Sequence, residues 1–204
     1  MDRRSLIATA LASLAAAPAL AQDEPPSDYE RQPPPDYGPP RAPAPTYNDD
    51  EVVNRVSNFL GVTAESAGAA VERAFRDNGR PTGYIAGEEG SGAFVFGLRY
   101  GRGLLYMKDR RTTEVFWQGP SVGFDAGGNA SRVFTLCYNL QYPDAIFRRF
   151  PGVEGTAYFI GGIGVNYARA EDIVLAPMRV GVGLRLGANV GYLAYTRRRN
   201  VLPF

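Results

Sequence analysis

Residues 178–195 read Met178-Arg179-Val180-Gly181-Val182-Gly183-Leu184-Arg185-Leu186-Gly187-Ala188-Asn189-Val190-Gly191-Tyr192-Leu193-Ala194-Tyr195, and the fold is read from this stretch. Val180, Val182, Leu184, Leu186, Ala188, Val190 and Tyr192 take every second position, with Gly181, Gly183, Arg185, Gly187, Asn189 and Gly191 between them. A period of two is the mark of a strand, here with one apolar face and one nearly bare face. Glycine weakens a strand interior, so a row of it points to sharp coiling or close backbone approach, both of which a small curved barrel requires. Gly161, Gly162 and Gly164 repeat the theme upstream, and they read as architectural positions within a strand.

The same texture extends back to Gly79, since 21 of the 24 glycines lie from there onward among β-branched and aromatic residues. Residues 79–204 are therefore expected to form a small soluble antiparallel β-barrel. Strands are expected at Tyr84–Ala86, Ala93–Tyr100, Leu104–Asp109, Glu114–Gln118, Ser121–Asp125, Arg132–Asn139, Thr156–Asn166 and Met178–Tyr195. Tight turns are expected at Tyr100-Gly101-Arg102-Gly103 and at Asp125-Ala126-Gly127-Gly128-Asn129, with a short helical turn over Asp144–Phe150.

Residues 49–78 carry helical spacing. Val52, Val53, Val56, Phe59 and Leu60 recur at intervals of three and four between Asp49-Asp50 and Gly61. Thr63 suits the cap of a second helix with Ala67, Ala70, Val71, Ala74 and Phe75 on one stripe, closed by Asn78-Gly79. The stripe is expected to pack on the barrel, because the pair is more acidic than basic and so unsuited to a membrane surface. The fold class is thus mainly β, with one or two peripheral N-terminal helices.

Residues 22–48 hold nine of the 16 prolines and no apolar period, so they are expected to form an extended linker. Residues 1–21 read as an export signal. Arg3 and Arg4 open it, an apolar run to Leu20 follows, and Ala19-Leu20-Ala21 offers a cleavage site after Ala21. Pro18 and the alanine content leave the run short of a bilayer span. Arg3-Arg4-Ser5-Leu6-Ile7 also resembles a twin-arginine pattern. The expected compartment is the periplasm of a Gram-negative cell.

Composition removes several chemistries. The chain has no histidine and one cysteine, which excludes histidine catalysis, histidine-ligated zinc and an internal disulfide. Gly161-Gly162-x-Gly164 lacks the Lys-Ser/Thr ending and the following helix of a phosphate loop. No carboxylate spacing suggests a hydrolase pair, and Ser91 and Ser121 have no base beside them. Cys137, on one strand face with Val133 and Thr135, reads as a buried packing residue. No catalytic residue, cofactor, metal or nucleic acid is expected.

The formal charge of the whole chain is +1, but it is unevenly spread. Residues 22–78 carry five basic and eleven acidic groups, and residues 79–204 carry fifteen and nine. Lys108, Arg110 and Arg111 form one basic cluster and Arg197, Arg198 and Arg199 another, the candidate contacts for anionic lipid headgroups or lipopolysaccharide. The barrel's own acidic arm is the competing occupant. Trp117, the only tryptophan, precedes a Gly119-Pro120 break and with Phe124 is a candidate for a ligand mouth, core anchoring being the plainer role. An aromatic C-terminus at Phe204 suits an outer-membrane barrel, but Pro203 and the triple arginine interrupt such a strand, so no transmembrane insertion is expected.

Several motifs in order resemble those of a known family: Gly87-Glu88-Glu89-Gly90-Ser91-Gly92-Ala93, Gly97-Leu98-Arg99-Tyr100-Gly101, Trp117-Gln118-Gly119-Pro120-Ser121-Val122-Gly123-Phe124-Asp125, Arg149-Phe150-Pro151-Gly152-Val153-Glu154-Gly155 and Gly183–Leu193. Residues 49–204 are similar to the envelope integrity protein A family of alphaproteobacteria. The resemblance implies an exported soluble β-barrel with peripheral helices, needed for envelope integrity and linked to the lipopolysaccharide layer, with no catalytic residues to carry over. Trp117–Asn139 also resembles, more faintly, the lipid-binding domain of actin-patch and phosphoinositide-binding proteins, which implies a headgroup or acyl-chain site. The expectation is a non-enzymatic periplasmic protein that binds a lipid, a glycolipid such as lipopolysaccharide, or an envelope component. The alternative is a scaffolding module that docks another periplasmic protein without a small ligand.

Overall fold

The computed structural model describes residues 42–93, 96–122, 131–180 and 191–199. The leader and most of the linker, the 125–129 turn, Phe124 and the alternating run 181–190 lie outside the described residues.

Two helices come first, and their ends follow the capping residues. α1 (Asp49–Leu60) starts at Asn48, whose side chain accepts the Glu51 N–H at 2.9 Å while Glu51 accepts the Asn48 N–H at 3.0 Å. It stops at Gly61, where φ is 71° and the backbone turns left-handed. α2 (Ala64–Asn78) is capped by Thr63, which accepts the Ser66 N–H at 3.1 Å. Both helices bury the apolar stripes expected of them, Val52, Val56 and Leu60 on the first and Ala67, Ala70, Val71 and Ala74 on the second.

Ten strands follow: β1 (Gly83–Ala93), β2 (Phe96–Met107), β3 (Thr113–Val122), β4 (Ser131–Tyr138), β5 (Arg149–Pro151), β6 (Tyr158–Ile160), β7 (Ile163–Val165), β8 (Ala168–Ala170), β9 (Ile173–Val180) and β10 (Tyr192–Thr196). They form one sheet in the order β5-β10-β3-β2-β1-β4-β9-β7-β6, with β8 beside the first half of β9. A bridge between Gly152 and Ala168, and the Val153 N–H on the Tyr167 carbonyl at 2.9 Å, join the β5 side to β8. These links bring the two sides of the sheet together into a curled, barrel-like wall, with the β6–β7 hairpin outside the ring.

The wall separates two cores. Ile85, Leu105, Val115, Trp117, Val133, Cys137, Leu175 and Tyr195 fill the inside, and Leu140, together with Ala145 and Ile146 of a 3-10 turn at Pro143–Ile146, closes its lower end. Tyr84, Phe134, Leu136, Tyr138, Ile163, Val165 and Met178 face the helices on the outside. β4 is therefore buried on both faces, and Val133–Tyr138 is apolar or buried at every position, without alternation.

Four expectations change. Gly119-Pro120 is not a break: β3 runs through it, with Arg99 and Leu98 of β2 opposite Gly119 and Pro120. Tyr100–Gly103 is not a turn: β2 runs straight through it, because Gly101 leaves room for the Trp117 indole, which a Cβ there would strike. Gly161-Gly162 is not strand interior but the two-residue turn between β6 and β7, with φ of 60° and 81° that suit glycine. β8 and the first half of β9 were not expected, Pro177 having obscured them. It sits opposite Thr135 on β4, where the other edge of β9 changes partner from β8 to β7 and no ladder bond is needed.

Gly101 is thus a packing position, while Gly90 faces open space. Gly101→Ala is expected to cost about 1–3 kcal/mol by overpacking, whereas Gly90→Ala stays within about 0.5 kcal/mol. Urea unfolding followed by far-UV circular dichroism checks this, and equal stability of the two variants would contradict the packing assignment.

Candidate functional site

The inside of the barrel is apolar below and charged above. Glu89 points inward from β1, the same face as Ile85, and is 8% exposed. Its Oε2 accepts the Trp117 indole N–H at 2.8 Å and Arg179 Nη2 at 3.0 Å, while Oε1 accepts Arg179 Nε at 3.1 Å. Arg99 Nη1 stands 3.7 Å from the same carboxylate, and Arg179 Nη1 donates to Asn166 Oδ1 at 3.1 Å. A buried carboxylate survives only with such partners, since its desolvation is otherwise prohibitive.

Burial acts to raise the Glu89 carboxyl, but the charges of Arg179 and Arg99 and the hydrogen bonds from Arg179 and Trp117 outweigh it and hold the group down to about 2. Burial pushes the Cys137 thiol and the Tyr195 phenol upward, away from ionisation. Glu89 is thus an ionised, fully bonded anchor rather than a base near neutral pH, and Cys137 is a silent packing thiol.

The expected site residues divide between the inside and one end. Trp117 is an interior residue, 3% exposed, with its polar edge spent on Glu89. Lys108 binds Glu51 of α1 at 3.0 Å and lies 5.0 Å from the centre of the Tyr47 ring. It clamps the first helix and the lead-in segment to the barrel. The lead-in is held further by the Tyr47 N–H on the Pro81 carbonyl and the Ala44 N–H on Gln141.

Strand register brings the two arginine clusters to the same end. β2 and β3 pair down to Leu105–Thr113, so Arg110 and Arg111 lie in the connection just below, while β3 and β10 pair down to Phe116–Thr196, so Arg197–Arg199 leave at that level. Arg197 binds Asp144 of the 3-10 turn at 3.1 Å and lies 4.4 Å from the Phe147 ring centre, which fixes the segment to the barrel floor. Arg110, Arg111, Arg198 and Arg199 are exposed, and none forms an ion pair among the described residues. Asp109 and Glu114 are the exposed acids of these two segments, and Asp144, Glu171 and Asp172 are exposed elsewhere at the same end.

The Glu89–Arg179 pair was not anticipated, because its members lie 90 residues apart in the chain. The one signal was an acidic residue facing inward from a glycine-rich strand.

The Glu89 carboxyl falls from an ordinary 4.5 to about 2 on folding, so its stabilisation is present above pH 4.5 and is lost as pH drops toward 2. A depression of that size corresponds to about 3 kcal/mol. Chemical unfolding of the wild type between pH 5 and pH 2.5 is expected to show this loss. Glu89→Gln is expected to be less stable at pH 7, with Arg179 left uncompensated, and flatter with pH. A variant with unchanged stability and an unchanged pH profile would contradict the role given to Glu89.

No helix among the described residues is long and apolar enough to cross a membrane. A search of curated proteins gives no match. Among solved structures, the chain is similar to a β-barrel-like uncharacterised protein from Brucella abortus at 49% identity and a TM-score of 0.72, over 78% of this chain and 99% of that one. The family model for envelope integrity protein A matches residues 45–204. With that match over most of its length, the chain belongs to the envelope integrity protein A family.

Proposed function

We propose that this chain is an exported, non-enzymatic periplasmic protein, its leader cleaved after Ala21, that supports the envelope by binding an anionic lipid, glycolipid or other envelope component. The family's name supports the envelope role. The observation that carries the binding mode is the gathering of Arg110, Arg111, Arg198 and Arg199 at one barrel end, exposed and without acid partners among the described residues. Arginine holds phosphate and carboxylate oxygens through paired donors, and four on a rigid rim form a preorganised anion contact. Lys108 serves as a clamp within this arrangement, and residues 22–41 act as a spacer upstream of it.

A second reading, a scaffold that docks another periplasmic protein, is favoured by the filled lower interior. Ile85, Leu105, Leu140, Ile146 and Leu175 are buried there at 1% exposure or less, in the volume an acyl chain would need. This packing supports contact at the surface in both readings.

Native protein and an Arg110→Gln, Arg111→Gln, Arg198→Gln, Arg199→Gln variant, recovered from envelope preparations, separate the readings by lipid extraction with mass spectrometry and by cross-linking. The proposal expects an anionic component on the wild type and its loss from the variant at unchanged thermal stability. Equal recovery on both overturns it. A cross-linked protein partner without any anionic component overturns it in favour of the scaffold.

A further inference from the structure

We infer that the partner of the basic end is a lipid surface, an anionic bilayer leaflet that the barrel meets end-on, with Tyr142 as its interfacial residue. The inference rests on the anion-binding reading of that end. Tyr142 follows the lower end of β4 and precedes the 3-10 turn Pro143–Ile146 that plugs the barrel floor, and it is 44% exposed. The residues after it turn inward: Ala145 and Ile146 join the interior core, and Asp144 takes Arg197. The plug thus holds a large aromatic outward beside the segment that carries Arg198 and Arg199.

Charge and polarity agree along this sector. The β2–β3 connection and the exit of β10 offer four arginines that form no ion pair among the described residues, against the exposed Asp109 and Glu114, a positive surplus confined to these two segments, since Glu171 and Asp172 sit on the β8–β9 turn beyond β4. Lys108 and Arg197 are neutralised by Glu51 and Asp144 and serve to brace the two segments. A soluble phosphate needs one pocket of converging donors. These arginines instead stand on separate segments of a rim, the geometry of a contact spread over many phosphates. Basic side chains attract an anionic leaflet within about a Debye length. A tyrosine with an apolar body and a wet tip suits the headgroup level of a membrane. The floor itself cannot insert deeply, because its apolar side chains are already committed to the interior.

Co-sedimentation of the mature chain with vesicles of phosphatidylglycerol and phosphatidylethanolamine, against vesicles of phosphatidylcholine alone, tests the inference. Binding is expected to the anionic vesicles only and to fall steeply at high salt. Tyr142→Ala is expected to weaken it about three- to tenfold, and the four-arginine variant more than about a hundredfold, both at unchanged melting temperature. If the wild type ignores anionic vesicles while the arginine variant still loses its anionic component from envelope preparations, the lipid surface is overturned and the anion-binding reading stands. Vesicle binding that survives removal of the four arginines overturns both. Capture of inorganic phosphate with no capture of vesicles also overturns the lipid surface.

Discussion

Gly83–Gly87 of β1, Val133–Tyr138 of β4 and Ile173–Met178 of β9 are covered on both faces, and the rest of the molecule is arranged around that constraint. Their inward residues Ile85, Val133, Cys137 and Leu175 need a barrel interior, and their outward residues Tyr84, Phe134, Leu136 and Met178 need a second layer. α1 and α2 supply that layer, held by the Asn48–Glu51 capping box and by Lys108, which reaches from the barrel to Glu51. Burying two layers of apolar side chains is the main stabilising term for a domain of this size. Neither core is complete without the other.

This two-sided burial also explains where a charge is tolerated. Glu89 lies on the inward face of β1 above the apolar layer, where Arg179 from β9 and Trp117 from β3 meet it across the barrel. The contact ties three strands, no two of which are neighbours in the sheet. A buried charge of this kind offers geometric specificity more than stability.

How far the sequence revealed this differs by element. The helices were legible closely, since Thr63 and the left-handed Gly61 and Gly79 act locally, whereas the Asn48 cap of α1 lay within the stretch read as linker. The β character was legible from period and glycine content, but strand limits were not. Gly101 looked like a turn because its purpose, space for Trp117 of the neighbouring strand, lies in the tertiary structure. Pro177 hid the first half of β9 because a proline is tolerated only where an edge lacks a ladder, and that edge is set by the partners of β9. The arginine clusters were visible as charge runs, whereas their meeting at one end follows from the Leu105–Thr113 and Phe116–Thr196 register. Tyr142 carried no signal, since its exposure follows from the inward turn of Ala145 and Ile146.

The central claim is that a rigid two-layered barrel acts by adhesion through its arginine-bearing end while its walls stay unchanged. Amide hydrogen exchange of residues 22–204 with and without native envelope membranes tests this most directly. The account predicts added protection confined to residues 108–113, 139–147 and 196–199, with the helices and β1, β4 and β9 unaltered. Protection centred on α1 and α2, or loosening of the Glu89-bearing strand on binding, would contradict it.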